Sequence, residues 1–199
     1  MPESLRNDDL INRAISFALS AHAGYSRKAD DLPYIVHPLE VMCIVSTMTT
    51  DSAVMAAAVL HDVAEDTSHT LSEIYDLFGE KVGNLVRTET EDKMRDIPPS
   101  DSWLVRKENS LEDLRNAEDI NVKILWLADK LANMRSFHRK HMKEGHRFWE
   151  AFNMKDPKMQ GWYYSAIRDM TSELSDTAAW KEYSYLVNEV FGGLDDEQC

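Results

Sequence analysis

Apolar residues recur at three- and four-residue spacing along most of this chain, and long stretches of strand-like alternation are absent. That period belongs to the α-helix, so each segment must bury one stripe of its surface against another. Only seven Gly and six Pro interrupt 199 residues. The spacing predicts helices over roughly 8–23, 38–48, 52–65, 71–78, 80–90, 102–115, 119–138, 145–153, 157–174 and 178–191. Several ends carry local signals. Pro38 suits a first turn, where its missing N–H is harmless, and Thr70-Leu71-Ser72-Glu73 fits a capping box. Gly79 is a natural stop, and the stretches IPPSDS at 97–102 and Asp156-Pro157 break the chain between helices. No repeat or Gly/Ser linker divides it. The expectation is an all-α fold: one compact bundle of about ten helices over 1–192, followed by a polar tail over 193–199.

A chain of this length holds one medium domain with a proper core. Hydrophobic content of 43% with 29% charged residues describes a soluble protein. No window approaches ~18 uninterrupted apolar residues, so no membrane partner is expected. The N-terminus is polar and acidic, unlike a secretory signal. Cys43 and Cys199 make no disulfide framework and read as free thiols in a reducing cytoplasm. A net charge of −13 disfavours the backbone of a nucleic acid, which needs clustered Lys and Arg. It leaves room for a small phosphorylated ligand held by one metal ion and a few placed cations.

Against this background certain polar residues stand where a core should be. His37 lies at the start of a helix whose inner face carries Val41, Ile44 and Val45. The stretch LHDVAEDT, residues 60–67, follows a greasy run of alanines. In a continuous helix, positions 61 and 65 share a face, as do 62 and 66. His61 and Asp62 then point inward, where unpaired burial is costly. The alternative is a solvated helix end, against which the helix dipole argues mildly. A single His-Asp pair is also about what chance supplies. Asp129 sits among Ile124, Leu125, Leu127, Ala128, Leu131 and Met134, with Asn133 one turn on. It wants a metal or a salt bridge, for which Lys130 and Arg135 are candidates. Together His37, His61, Asp62 and Asp129 make two imidazoles and two carboxylates, a set suited to Mn²⁺, Fe²⁺ or Zn²⁺. Glu65 and Asp66 could orient a metal-bound water or take its proton.

The order H…HD…D resembles the HD phosphohydrolase superfamily. Residues 22–38, HAGYSRKADDLPYIVHP, are similar to the opening of the hydrolase domain of RelA/SpoT-type proteins and small alarmone hydrolases. LHDVAEDT, the run from Thr70 to Val86, and LADKLANM followed by Arg135 resemble further motifs of that family, so the likeness covers roughly 10–140. It implies an all-helical domain with one divalent ion, commonly Mn²⁺, that removes the 3′-diphosphate of (p)ppGpp to give GDP or GTP and pyrophosphate. Carried over by motif, His37, His61, Asp62 and Asp129 match the metal ligands. Glu65 and Asp66 match the pair acting on water. Arg27, Lys28 and Asn133 match residues at the nucleotide, and Lys93 matches a lysine near the phosphates. Among Trp162, Tyr163 and Tyr164, Tyr163 is preferred as the aromatic that meets the nucleotide.

Other classes remain on the table at this stage. The same site could serve another nucleotide, such as pppApp or NADPH, or the chain could bind alarmone without turning it over. The intact Glu65-Asp66 pair argues against a sensor, which has no need of a base. The chain has no room for the synthetase and regulatory domains of large family members, so a stand-alone hydrolase is expected, with a second copy of the chain as the remaining candidate partner.

Overall fold

Asp51, Thr70, Asp119, Asp156 and Thr177 each accept a backbone N–H two or three residues ahead, and each begins a helix. The computed structural model describes residues 3–27 and 32–193, with side chains from residue 9 onward. Over this range the elements are α1 (Glu3–Ala21), α2 (Val36–Val45), α3 (Ser52–Leu60), α4 (Val63–Asp66), α5 (Leu71–Phe78), α6 (Glu80–Glu89), α7 (Pro99–Arg115), α8 (Ile120–Glu144), α9 (Pro157–Met170) and α10 (Ala178–Phe191). Two 3₁₀ segments, Gly145–Ala151 and Ser172–Leu174, complete them. Among the described residues there is an isolated antiparallel bridge, Ser26 to Pro33. The all-α expectation holds. The proposed tail lies mostly outside the described residues, as does Cys199. Cys43 is exposed rather than packed.

The boundaries depart from the sequence pattern in instructive places. The predicted helix over 52–65 is two elements, because the chain turns at His61-Asp62 before resuming as the single turn of α4. His61 Nδ1 lies 2.8 Å from the Ala58 carbonyl, so the side chain takes an acceptor at the helix end. α7 starts earlier than expected, with Pro99 in its first turn, where proline is tolerated. α8 runs six residues past the expected end, to Glu144. The helix expected over 145–153 is a 3₁₀ segment instead. The Thr70 capping box forms, and Gly79 closes α5 with φ of +88°.

α3 and α8 form the middle of the bundle. α3 packs on α1, α2 and α6, and α8 on α2, α3, α6 and α10. Ala56 through Leu60 and Leu125, Leu127, Ala128 and Leu131 are all fully buried. The alanines of α3 allow this close approach, and the aliphatic face of α8 fills the space they leave. α2 brings Val41 and Val45 against both. Polar side chains carried by α2, by the end of α3 and by the middle of α8 therefore have to meet in one buried place. Among the described residues no helix is long and apolar enough to cross a membrane.

Two stability outcomes follow. Leu127→Ala removes a fully buried side chain from α8 and should cost about 2–5 kcal/mol in denaturant unfolding. Burial alone would raise the Asp51 carboxyl, but Lys81 and the Ala53 N–H hold it below its ordinary range. Its contribution is therefore present above the unfolded-state pKa, about 4, and lost as pH falls through the lower folded value. Asn keeps the cap but not the charge. The stability difference between wild type and Asp51→Asn should shrink as unfolding midpoints are followed from neutral pH down to about 2.

Candidate metal centre

His37 sits in the first turn of α2, His61 at the end of α3, Asp62 at the turn that follows and Asp129 in the middle of α8. His37, His61 and Asp129 are buried. Their ligand atoms lie within 4.8 Å of one another. Asp129 Oδ1 is 3.0 Å from His37 Nε2 and 3.6 Å from His61 Nε2. Asp62 Oδ2 completes the set at 3.0 Å from His61 Nε2 and 3.6 Å from His37 Nε2.

One observation tests whether a metal fits. His61 Nδ1 hydrogen-bonds the Ala58 carbonyl, which places the proton on Nδ1 and leaves the Nε2 lone pair facing the carboxylates. That buried Nε2 meets no donor, only the carboxylate oxygens of Asp62 and Asp129. A divalent cation supplies what the nitrogen lacks, and two imidazoles with two carboxylates are a donor set such an ion accepts. The electrostatics point the same way. Burial opposes ionisation of Asp62, yet His61 and His37 hold its carboxyl far below the usual range. Burial likewise opposes ionisation of Asp129, and Lys130 and the two imidazoles overcome it. Burial works against charge on His61, but Asp62 and Asp129 push its pKa well up. The cluster calls for positive charge between its members.

The other expected site residues surround this centre. Asn133 Nδ2 donates to Asp129 Oδ1 at 2.9 Å, and Arg27 Nη2 donates to Asn133 Oδ1 at 2.7 Å. Glu65 and Asp66 lie on α4 and line the same cavity, of about 210 Å³. Glu65 accepts the Glu91 N–H at 3.0 Å, and burial raises its pKa. Lys93 pairs with Asp66 and stands 3.4 Å from Glu65. Tyr163 is buried and lines the cavity, whereas Trp162 is exposed. Lys28 lies outside the described residues. Of the salt-bridge candidates for Asp129, Lys130 does contact it. Arg135 turns away to Glu182 and Glu40.

Sequence reasoning gave no role to several residues that the fold brings here. Tyr34 Oη donates toward Asp62 Oδ2 at 2.7 Å and Asp66 Oδ2 at 2.8 Å, joining the two halves of the site. His22 stacks on Tyr34 with ring centres 4.7 Å apart. Both belong to the quoted opening stretch, so their motif was the available signal. Glu91 is held by Arg106, Lys107 and Ser110. Lys107 lies 4.9 Å over the Tyr163 ring and also lines the cavity. Glu89 and Glu91 fall in a polar run that reads as solvated, which gave no sign of their burial.

Comparison with known proteins identifies the family. The HD domain model matches residues 14–151. The GTP pyrophosphokinase rsh of Brucella ovis is 39% identical over 135 residues, 65% of this chain and 17% of that protein. The probable guanosine-3′,5′-bis(diphosphate) 3′-pyrophosphohydrolase of a Synechocystis species is 40% identical over 128 residues, 64% of this chain and 16% of that protein. The chain thus spans less than a fifth of the length of these curated relatives. A solved structure of a metazoan SpoT ortholog, described as hydrolysing ppGpp, superposes with a TM-score of 0.69 at 24% identity, over 93% of this chain and 95% of that one. That last likeness speaks for the fold. The matched domain takes in the helices that carry His37, His61, Asp62 and Asp129, and the chain belongs to the HD-domain family.

Proposed function

We propose that this domain hydrolyses the 3′-diphosphate of (p)ppGpp, releasing pyrophosphate and leaving GDP or GTP, with one divalent ion, Mn²⁺, as cofactor. The observation that carries the reading is the convergence, on one buried cavity, of a two-histidine, two-carboxylate cluster with Glu65 and Asp66 beside it. The activity for which the Synechocystis relative is named supports the substrate. The small volume of the cavity and its charged lining suit a phosphoryl group rather than a polymer. Such a substrate fits a protein of the cytoplasm, the compartment that this reading proposes.

His37, His61, Asp62 and Asp129 would hold the ion, which supplies a water of lowered pKa and a positive charge against a phosphoryl oxygen. Glu65 takes the proton of the attacking water, and the burial that raises its pKa makes it a stronger base than a solvated carboxylate. Asp66, fixed by Tyr34 and Lys93, orients that water. Lys93 offers an ammonium beside Glu65 and Asp66. Arg27, whose planar fork matches phosphate or stacks on a base, grips the nucleotide together with Asn133, Lys28 and Tyr163.

Purified protein with Mn²⁺ should release pyrophosphate from ppGpp, and Asp62→Ala should not. Binding of ppGpp without turnover would refute hydrolysis, while much faster turnover of pppApp or NADPH would move the substrate assignment alone. Glu65→Gln keeps the size of the side chain but not the base. Its kcat should fall by about 10²–10⁴ with KM little changed, as measured by pyrophosphate release at saturating Mn²⁺.

A further inference from the structure

Three cations line the metal cavity among the described residues: Arg27, Lys107 and Lys130. Two of them are committed elsewhere. Lys130 contacts Asp129, and Arg27 donates to Asn133 and keeps its proton at any working pH. Lys107 is placed differently. It projects from α7, with Nζ 3.2 Å from Glu91 Oε1 and 4.9 Å over the Tyr163 ring. Its side chain is 21% exposed. Glu91 also accepts from Arg106 and Ser110, so it holds the lysine without depending on it. Burial lowers the pKa of this ammonium against the pull of Glu91, which makes it a readier proton donor than a solvated lysine.

A second cavity, of about 510 Å³, adjoins the first, and Glu65, Glu91 and Lys107 line both. The smaller one suits the reacting phosphoryl group, so the rest of a nucleotide extends past these shared walls. On that placement the bond to be cleaved crosses the border at which Lys107 stands, with Glu65 facing the same space. The two are tied through Glu91, whose N–H donates to Glu65 and whose carboxylate accepts from Lys107. We propose that Lys107 is the general acid of the hydrolysis, giving its proton to the 3′-oxygen as that oxygen leaves phosphorus. The oxygen of the attacking water bonds to the phosphorus, and the electron pair of the broken P–O bond stays on the 3′-oxygen. Glu65 takes the proton of the water, Lys107 supplies the one that completes the 3′-hydroxyl, and solvent resets both. This rests on the (p)ppGpp reading above and adds the acid that reading left unassigned.

The test is steady-state turnover by the full chain with Mn²⁺, on ppGpp and on its analogue with sulfur in place of the 3′-oxygen. The thiolate of that analogue leaves without needing a proton. Lys107→Met should lower kcat on ppGpp about a hundredfold, with KM little changed. It should turn over the sulfur analogue at nearly the wild-type rate, which also shows that the variant is folded. Glu65→Gln should stay slow on both, because the water still needs its base. Lys107→Arg keeps the charge but holds its proton, so it should behave like Lys107→Met. An equal loss on both substrates overturns the proposal, and so does a loss confined to KM. A Lys107→Arg enzyme as fast on ppGpp as the wild type overturns it too, by leaving Lys107 a binding charge. Wild-type protein that leaves ppGpp intact overturns the (p)ppGpp reading instead, an outcome distinct from these.

Discussion

A carboxylate buried in the middle of α8 cannot stand without positive charge beside it. Asp129 meets that demand from two sides, with Lys130 at one oxygen and the imidazoles of His37 and His61 at the other. Much of the bundle serves this meeting. α2 and α3 pack against α8 through alanine and valine, and that closeness lets side chains from three helices reach one point. The capped starts of α3 and α8 fix where along each helix the polar residue falls. An ion of charge two satisfies such a cluster better than shared protons do, because it engages every donor at once.

Charged groups dominate the cavity beyond the cluster, with Tyr34, Trp126 and Tyr163 among them, and further ion pairs flank it. Glu91 holds Arg106, Lys107 and Ser110, Lys93 bridges Glu65 and Asp66, and Arg27 is held by Asn133. Ionic groups locked in this way are costly to bury but lose little further freedom when a charged ligand arrives. A domain with strongly negative net charge can in this manner keep a handful of cations where a phosphate would sit.

How much of this could be read beforehand depends on the residue. Asp129 announced itself, because an aspartate inside an aliphatic helical face has few ways to be stable. His61 and Asp62 were ambiguous alone and became informative only beside His37 and Asp129. The turn at His61 was not legible: neither Gly nor Pro marks it, and the ring's bond to the Ala58 carbonyl is a property of the folded chain. Glu89 and Glu91 were hidden for the opposite reason. Their run, RTETEDK, is polar throughout, and only the packing of α6 against α8 and α7 tucks these two side chains away. Trp162, Tyr163 and Tyr164 looked alike in sequence, and the helix phase of α9 turned Trp162 outward and put Tyr163 on the cavity.

Tyr34 carries a consequence of its own. A phenol has one hydrogen, and here it stands between two carboxylate oxygens at almost equal distance. When it serves Asp62 it leaves Asp66 to Lys93, and when it serves Asp66 it frees an oxygen of Asp62 for the centre. On the function proposed above, ligand strength on one side and water-side charge on the other are thus two readings of a single proton's position. No substitution at residue 34 can adjust one without moving the other.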